Sequence, residues 1–221
     1  RRSSEGADAV TDLQWARISN DAFNVALFAY IAAMLGYFVF LAFRREAVWQ
    51  VSRAVAVVGV VANLVSIVAR GLAADRVPWG NMYEYSSLLA LLVVVGALVV
   101  VEGVYKVRSL TGFALMFSVL TMAVAVSFLY VGPGPLVPAL NSYWLPVHVI
   151  LLFFGNAVFA VAFGAAIMYL LMEKELKRKR MGAIFKRLPS LDVLDDINYR
   201  CMTIGFPLLT LGIITGSIWA E

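Results

Sequence analysis

Six long stretches of apolar residues run through the chain, separated by short segments that hold most of its charge. A helix needs about 20 mainly apolar residues to cross a bilayer, and each stretch approaches or exceeds that length. A backbone exposed to lipid must satisfy its hydrogen bonds within its own segment, so each stretch is predicted to be a helix. We therefore expect an all-α polytopic transmembrane helical bundle, with spans over residues 23–43, 51–72, 86–105, 110–131, 146–172 and 201–220.

The composition also favours a membrane protein. Of the 221 residues, 62% are apolar and only 14% are charged, whereas soluble domains carry roughly 25% charged residues. Residues 1–22 are predicted to form a polar external segment, and residues 23–221 a single transmembrane domain. The first apolar stretch is long enough to span, so no cleavable signal peptide is expected. The single cysteine, Cys201, excludes an internal disulfide and a thiolate metal cluster.

The basic residues gather beside the first, third and fifth spans, and this predicts the orientation. Thirteen of the 18 Lys and Arg residues lie there, and such residues accumulate in cytoplasmic loops. We therefore expect the N-terminus outside and the loop 173–200 in the cytoplasm. The basic run 174–187 could bind nucleic acid or acidic lipid, and beside a membrane the contact with anionic headgroups is favoured.

The last part of this loop is predicted to be helical. After Pro189, Ser190 can cap a short helix by accepting a hydrogen bond from its first turn. This helix is expected to lie on the inner surface and to lead into the sixth span. Its apolar positions share one face, namely Leu191, Leu194 and Ile197.

Few polar residues lie within the predicted spans, where each is costly. Glu102 comes one helical turn before Lys106, so the two are expected to form a surface ion pair. Asn63 and Asn156 lie deeper and are expected to hydrogen-bond between helices. Two glycines of the sixth span, four residues apart, have the spacing that lets helices approach closely. No series of carboxylates crosses the membrane, which argues against a proton-coupled pump.

The external edge holds the residues best suited to chemistry. Trp79, Trp144 and Trp219 are typical of the aromatic belt at headgroup depth. His148 is the only histidine and lies at the start of the fifth span. Imidazole can ligate haem iron or transfer a proton near neutral pH, although a lone interfacial histidine is more often structural. A porphyrin bound to His148 is expected to lie against an apolar face formed by Leu151, Leu152 and Gly155.

Three stretches resemble a known family. They are residues 76–84 (RVPWGNMYE), residues 143–149 (YWLPVHV) and the segment 194–220. From about residue 22 onward the chain resembles the CcsA/ResC family, the integral-membrane haem-handling proteins of system II cytochrome c maturation. In that family, haem passes from the cytoplasm through the membrane protein to an external site. There it is presented to the Cys-x-x-Cys-His motif of apocytochrome c for thioether formation.

The resemblance implies roles for individual residues. His148 matches the family's first external histidine, which implies that it is an axial ligand of haem iron, and Trp144 lies in the same motif. Arg70 or Arg76 could pair with a haem propionate, and Trp79 could pack on the porphyrin ring. These contacts are a physical suggestion, because the resemblance assigns no role to the family's outer-loop motif, which is matched by Arg70, Arg76, Trp79, Tyr83 and Glu84.

The resemblance also implies a cargo, partners and a location. The cargo is haem b, transported or transiently bound. The partners are a ResB/CcsB-type membrane subunit, apocytochrome c, membrane lipid and, indirectly, a thioredoxin-like thiol reductant, with no nucleic acid. The location is the bacterial inner membrane, or a thylakoid membrane if the protein is from a plastid.

The chain also departs from the family pattern. The family's tryptophan-rich segment should begin almost directly after Glu221, and a second external histidine and a transmembrane histidine should follow. We therefore interpret the chain as an N-terminal fragment of a longer protein. The family acts as part of a holocytochrome c synthase complex, but this chain lacks the tryptophan-rich segment and the later histidines, so whether it acts as an enzyme stays open.

Two alternative functions are considered. One is a non-catalytic scaffold of the assembly complex. The other is a small-solute transporter, which would show broken helices at the membrane midplane and internal repeats. The sequence contains neither signal, which disfavours the transporter.

Overall fold

A computed structural model describes residues 2–135, 142–178 and 188–220, with side chains described between residues 11 and 218 of those ranges. The described residues form helices and connecting turns, without strands. The helices are α1 (Arg2–Phe43), α2 (Glu46–Ala74), α3 (Met82–Gly96, extended by a π-helical turn, Ala97–Val101), α4 (Arg108–Phe128), α5 (Trp144–Lys177) and α6 (Leu191–Ala220). Each of the six contains a segment that is long and apolar enough to cross a membrane, so the six predicted spans are confirmed.

Helices α1, α2, α5 and α6 are longer than the spans that the sequence predicts. Residues 2–22 are helical and continue without a break into the first span. The loop predicted over 173–200 is shorter than expected, because α5 continues to Lys177 and α6 begins at Leu191. Ser190 caps α6 as predicted, since its hydroxyl accepts a hydrogen bond from the Val193 amide at 3.4 Å. The predicted surface helix and the sixth span form one continuous helix of 30 residues.

The bundle consists of two helix hairpins on either side of a central pair. The hairpins are α1 with α2 and α5 with α6, which are the two most extensive helix contacts. Helices α3 and α4 lie between the hairpins: α3 contacts α2 and α5, and α4 contacts α1 and α5. More than half of the spanning segment of α3 and of α4 is buried, compared with only 11% of that of α6. Helix α6 is therefore the peripheral member of the bundle, and it packs mainly on α5.

The end of the third span corrects one expectation from the sequence. The predicted surface ion pair between Glu102 and Lys106 is wrong. The Glu102 side chain is only 4% exposed, and its Oε1 accepts a hydrogen bond from the Tyr37 hydroxyl at 2.5 Å. The i, i+4 rule assumes a regular α-helix, whereas here a π-helical turn ends at Val101 and Lys106 has a left-handed backbone with φ 59°. The chain therefore turns Glu102 inward and Lys106 outward.

The predicted hydrogen bonds between helices are confirmed. The Asn63 amide on α2 donates to the Ser87 carbonyl at 3.2 Å and accepts from the Ser87 hydroxyl at 2.8 Å. The Asn156 amide on α5 donates to the Tyr85 hydroxyl at 2.8 Å. Because Ser87 and Tyr85 both lie on α3, these two asparagines connect the central helix to the hairpins on each side.

The two ends of the bundle differ in charge. We call the end where α1 meets α2, α3 meets α4 and α6 begins the basic end, and the opposite end the histidine end, after His148. At the basic end, Arg108 at the start of α4 pairs with Glu46 at the start of α2 at 2.8 Å. The positive-inside rule predicts that the basic end faces the cytoplasm.

Candidate functional site

His148 lies in the second turn of α5, half-buried against α6. Its Nδ1 atom is 2.7 Å from the backbone carbonyl oxygen of Gly212 on α6. A carbonyl oxygen can only accept a hydrogen bond, so Nδ1 must carry the hydrogen. In a neutral imidazole the other nitrogen, Nε2, then carries the free lone pair. Within the described part of the chain, no side chain or backbone group hydrogen-bonds to Nε2, so this nitrogen is available as a ligand.

The two spaced glycines of the sixth span, Gly212 and Gly216, create the room for this imidazole. A Cβ atom added at Gly216 would lie 2.6 Å from both Cε1 and Nδ1 of His148, a distance that real contacts do not allow. A Cβ atom added at Gly212 would lie 2.8 Å from a methyl carbon of Leu152. The spacing therefore lets α6 approach α5 closely, as the sequence predicts.

The same packing overturns the expectation of a porphyrin on the apolar face of α5. Leu152 is in contact with Gly212, and a Cβ atom added at Gly155 would lie 2.9 Å from Leu209. Helix α6 therefore covers the face that Leu152 and Gly155 share. The sequence could not show this, because periodicity identifies an apolar face but not the element that packs on it.

The tryptophans take two different positions around His148. Trp144 lies one helical turn before His148 and is half-exposed, which suits a residue at the membrane surface. Trp79 packs on the apolar cluster formed between α3 and α5, which includes Leu145 and Val149. The structure therefore brings Trp79 and His148 to the same end of the bundle but onto different faces of α5. The side chain of Trp219 lies outside the described residues.

Glu84, in the first turn of α3, is the centre of a buried ion cluster. Its side chain is fully buried and that of Arg70 is 3% exposed. Arg70 Nε donates to Glu84 Oε1 at 3.0 Å, and the two terminal nitrogens of Arg76 donate to the two carboxylate oxygens at 2.9 and 3.1 Å. The Gly80 amide adds a fourth donor at 2.8 Å. A bidentate arginine and a backbone amide are the strong partners that a buried carboxylate needs.

This Arg–Glu cluster, which consists of Arg70, Arg76 and Glu84, joins two outer loops. Arg70 Nη2 also donates to the carbonyl oxygen of Val131, and Arg76 Nε donates to that of Gly134 at 2.8 Å. Both carbonyls belong to the segment that follows α4. The cluster therefore fixes the segment between α2 and α3 against the start of the next outer loop, and the predicted propionate contact would have to share its guanidinium groups with Glu84.

Tyr83 supports the same cluster from inside the bundle. The ring is 2% exposed, stacks on Phe23 with centroids 4.9 Å apart, and meets the edge of Tyr130 at 5.2 Å. The guanidinium of Arg70 lies 4.6 Å from the Tyr83 centroid, within the range of a cation–π contact. Tyr83 is thus a core residue that separates the Arg–Glu cluster from the apolar interior.

Sequence reasoning missed two features of this end. The Gly212 carbonyl, which fixes the imidazole, carries no signal in the sequence, although the glycine spacing indicated a close approach. The stacking of Tyr85 on Phe153, with centroids 4.6 Å apart, was also missed. No group of three or more His, Cys, Asp or Glu side chains comes together as a metal site in the described ranges. His148 is therefore a lone ligand candidate rather than part of a metal cluster.

These features define a class of protein, a polytopic helical membrane protein that presents one oriented imidazole at one end of its bundle. Residues 79–221 match the family model described as "Cytochrome C assembly protein". This match covers more than half of the chain, and the chain belongs to that family.

Individual relatives agree with the family match. "Cytochrome c biogenesis protein CcsA" of Guillardia theta is 24% identical over 226 residues, covering 92% of this chain and 74% of the relative. The protein of the same name from Pyropia yezoensis is 27% identical over 245 residues, covering 92% of this chain and 76% of the relative. "Protein HemX" of Brevibacillus brevis is 40% identical over 82 residues, which cover 37% of this chain and 30% of the relative. The similarity to CcsA proteins thus extends over nearly all of the chain.

Proposed function

We propose that this protein holds haem at the histidine end of its bundle and presents it for covalent attachment to apocytochrome c. Membership of the cytochrome c assembly family supports the process, and the orientation of His148 supports the site. The observation that carries the proposal is the hydrogen bond from Nδ1 to the Gly212 carbonyl. Histidines that bind metals commonly donate their second nitrogen to such an acceptor, which fixes the tautomer and the ring plane.

In this proposal haem is the substrate, and His148 would bind its iron through Nε2. The Gly212 carbonyl would fix the tautomer that leaves the Nε2 lone pair free and would orient the ring, and Gly216 leaves space for the ring. Trp144, half-exposed on the preceding turn, would shield one side of the site from water. Since the 221 residues contain one imidazole, a second imidazole ligand would come from outside this sequence.

The outer-loop residues take a supporting part in this proposal. Arg76 is 15% exposed and Arg70 only 3%, so Arg76 is the more accessible partner for a haem propionate. Glu84 holds both guanidinium groups in place whether or not a propionate is bound. Trp79, on the α3–α5 cluster, would contact the porphyrin edge rather than its face, because Trp79 and His148 lie on different faces of α5.

The partners and location follow the same proposal. Haem b would be the cargo, a ResB/CcsB-type subunit the membrane partner, and apocytochrome c the acceptor, with its thiols kept reduced by a thioredoxin-like protein. The histidine end would face outward from the bacterial inner membrane, or into the thylakoid lumen in a plastid, with the N-terminus on the same side. A cysteine-labelling experiment on each end of the bundle would test this orientation.

Absorption spectra of the full-length membrane protein, purified in detergent after co-expression with its partner subunit, test the function. We expect a Soret band that is lost or strongly reduced in His148→Ala. Gly216→Ala should also weaken or shift the band, because its Cβ atom displaces the imidazole. Gly132→Ala is the matched control, since a Cβ atom there meets nothing within 4 Å.

Each result of this experiment separates two functions. A Soret band that depends on His148 and Gly216 but not on Gly132 supports haem presentation at the histidine end. A band that all three variants retain would place haem elsewhere. A protein that co-purifies with its partner subunit but has no haem band in any form would instead support a non-catalytic scaffold.

A further inference from the structure

Two neighbouring cavities at the basic end differ sharply in character. The first, of about 270 Å³, lies between the ends of α1 and α3 and the beginnings of α4 and α6, and is lined by charged and polar groups. The second, of about 390 Å³, lies between α3, α5 and α6, and its lining is almost entirely apolar. The Tyr105 side chain is a wall of both cavities. We call the first the basic cleft and the second the apolar groove.

Three cationic residues line the basic cleft, namely Arg44, Lys106 and Arg108. Arg44 and Lys106 are exposed, and both have a left-handed backbone, with φ of 55° and 59°. Such a backbone is uncommon for residues with long side chains, and here it turns the chain at the end of α1 and before α4. Both turns place a cation at the rim of the same cleft.

Arg108 is held in a fixed position in this cleft. Its guanidinium group lies 3.6 Å from the centroid of the Trp49 ring, and one terminal nitrogen donates to both carboxylate oxygens of Glu46. Glu46, which pairs with Arg108, is more than half exposed and is not part of the lining. The described residues that line the cleft include three cations and no carboxylate, so the lining has a net positive charge, which suits an anion.

The apolar groove suits a hydrocarbon chain. Its walls include Val95, Val99, Phe154 and Ile204, which belong to α3, its π-helical turn, α5 and α6. Gly96 opens the groove further, because a Cβ atom there would meet nothing within 4 Å. Arg200 lies at the end of the groove nearest the basic cleft, with its guanidinium group 6.0 Å from the Tyr105 centroid. The charged lining of the basic cleft and the apolar lining of the groove therefore adjoin at Tyr105.

We propose that the basic cleft and the apolar groove together bind one phospholipid with an anionic headgroup. Its phosphate lies among Arg44, Lys106 and Arg108, and one acyl chain enters the groove past Tyr105. Arginine recognises phosphate oxygens strongly, and basic pockets between membrane helices bind anionic lipid headgroups. The cleft lies where membrane-spanning segments end, so it is expected at headgroup depth in the leaflet predicted to face the cytoplasm. This site is separate from the histidine end and does not rest on the proposed function.

The headgroup part of the proposal is tested with the full-length protein in nanodiscs. The probes are dioleoyl phosphatidylglycerol and dioleoyl phosphatidylcholine, and bound lipid is measured by native mass spectrometry. We expect retention of phosphatidylglycerol over phosphatidylcholine in the unmodified protein. The double variant R44Q/K106Q should bind phosphatidylglycerol about thirtyfold more weakly, since each cation near the surface contributes about a factor of five. The matched control is R45Q/K177Q, which removes two cations from the same end but outside the cleft.

The acyl-chain part is tested at Gly96. Gly96→Phe should fill the groove and reduce phosphatidylglycerol binding about tenfold, by analogy with losing a few buried methylene groups. Gly96→Ala should bind like the unmodified protein. Equal loss in R45Q/K177Q would overturn the proposal, because the binding would then follow net charge alone. Two further results would also overturn the proposal. If inorganic phosphate displaced phosphatidylglycerol as effectively as free lipid does, the cleft would be a phosphate site. If haem displaced the lipid from the unmodified protein but not from the variants, the cleft would be a haem site.

Discussion

Helix α3 and its π-helical turn have a buried glutamate at each end, and the two are stabilised very differently. Glu84, in the first turn, accepts four hydrogen bonds from Arg70, Arg76 and the Gly80 amide. Glu102, just after the π-helical turn, accepts one short hydrogen bond from Tyr37. Its other oxygen makes no hydrogen bond to the described residues and lies 3.7 Å from Arg53, whose side chain is half-exposed.

The difference shows how one helix can be anchored at one end and adjustable at the other. A buried carboxylate that is fully paired fixes its surroundings, because moving it would break several charged hydrogen bonds at once. A buried carboxylate with an unused oxygen can exchange partners at lower cost. The histidine end, where the proposed site lies, thus has the rigid glutamate, and the basic end, where the proposed lipid site lies, has the less constrained one.

The largest expected effect comes from Glu84→Gln. This change leaves Arg70, which is 3% exposed, without its counter-charge, and breaking a buried ion pair costs about 3–5 kcal/mol. Glu102→Gln should lower the free energy of unfolding by only about 1 kcal/mol, because the amide oxygen still accepts from Tyr37 and Arg53 can turn to solvent. Unfolding of both variants in mixed micelles measures the difference, and an equal or reversed order would contradict the comparison.

Arg76→Lys tests how much of the rigidity comes from the arginine fork. Lysine keeps the charge but loses the bidentate bond to Glu84 and the bond to Gly134, so a loss of about 2 kcal/mol is expected. Limited proteolysis of the segment 131–135 should become faster at the same time. The exposed Arg45→Lys serves as the control and should change neither measurement.

Tyr37→Phe tests the weaker end of the comparison. It removes the only hydrogen bond to Glu102 within the described contacts, at a cost of about 1.5 kcal/mol. In the Glu102→Gln background the same change should cost clearly less, because the interaction that it removes is weaker with a neutral acceptor. Purely additive effects in this double-mutant cycle would show that Tyr37 acts through packing alone.

The smallest expected effect concerns the middle of the helix. A double-mutant cycle with Asn63→Leu and Ser87→Ala should give a coupling of about 0.6 kcal/mol, the typical value for hydrogen bonds between membrane helices. Such a value would confirm that the neutral contacts of α3 are weak compared with its charged start. A coupling above that of the Glu84 cluster would show that the polar pair, and not the ion cluster, anchors α3.

The sequence predicted the six spans well because lipid imposes a length and a composition that are visible locally. The family resemblance placed Arg70, Arg76 and Glu84 in one outer-loop motif, but suggested haem contacts for the arginines and no contact with Glu84. Their contacts could not be predicted, because the partners of Arg70 and Arg76 include backbone carbonyls some 60 residues away in a loop. The position of α6 on the apolar face of α5 was missed because periodicity identifies an apolar face but not the helix that packs on it.

Glu102 shows a different limit of sequence reasoning. Its spacing from Lys106 is right for an ion pair, and only the backbone decides against it. A π-helical turn adds one residue to a helical turn and rotates everything that follows. No pattern in the Val-rich segment 97–101 indicates that turn, so periodicity could not show that the Glu102 side chain points into the bundle.

The shallow burial of α6 has a consequence for the imidazole that it holds. Because α6 packs mainly on α5 and most of its surface faces away from the bundle, its tilt depends on its surroundings, and helices tilt to match the thickness of a bilayer. We expect that thicker and thinner bilayers change the 2.7 Å contact between Nδ1 of His148 and the Gly212 carbonyl. Nitrogen NMR of His148 in bilayers of different acyl length would measure this, and identical spectra would show that α5 and α6 move as one unit. If the spectra do change, membrane thickness sets how firmly the His148 ring is held against α6.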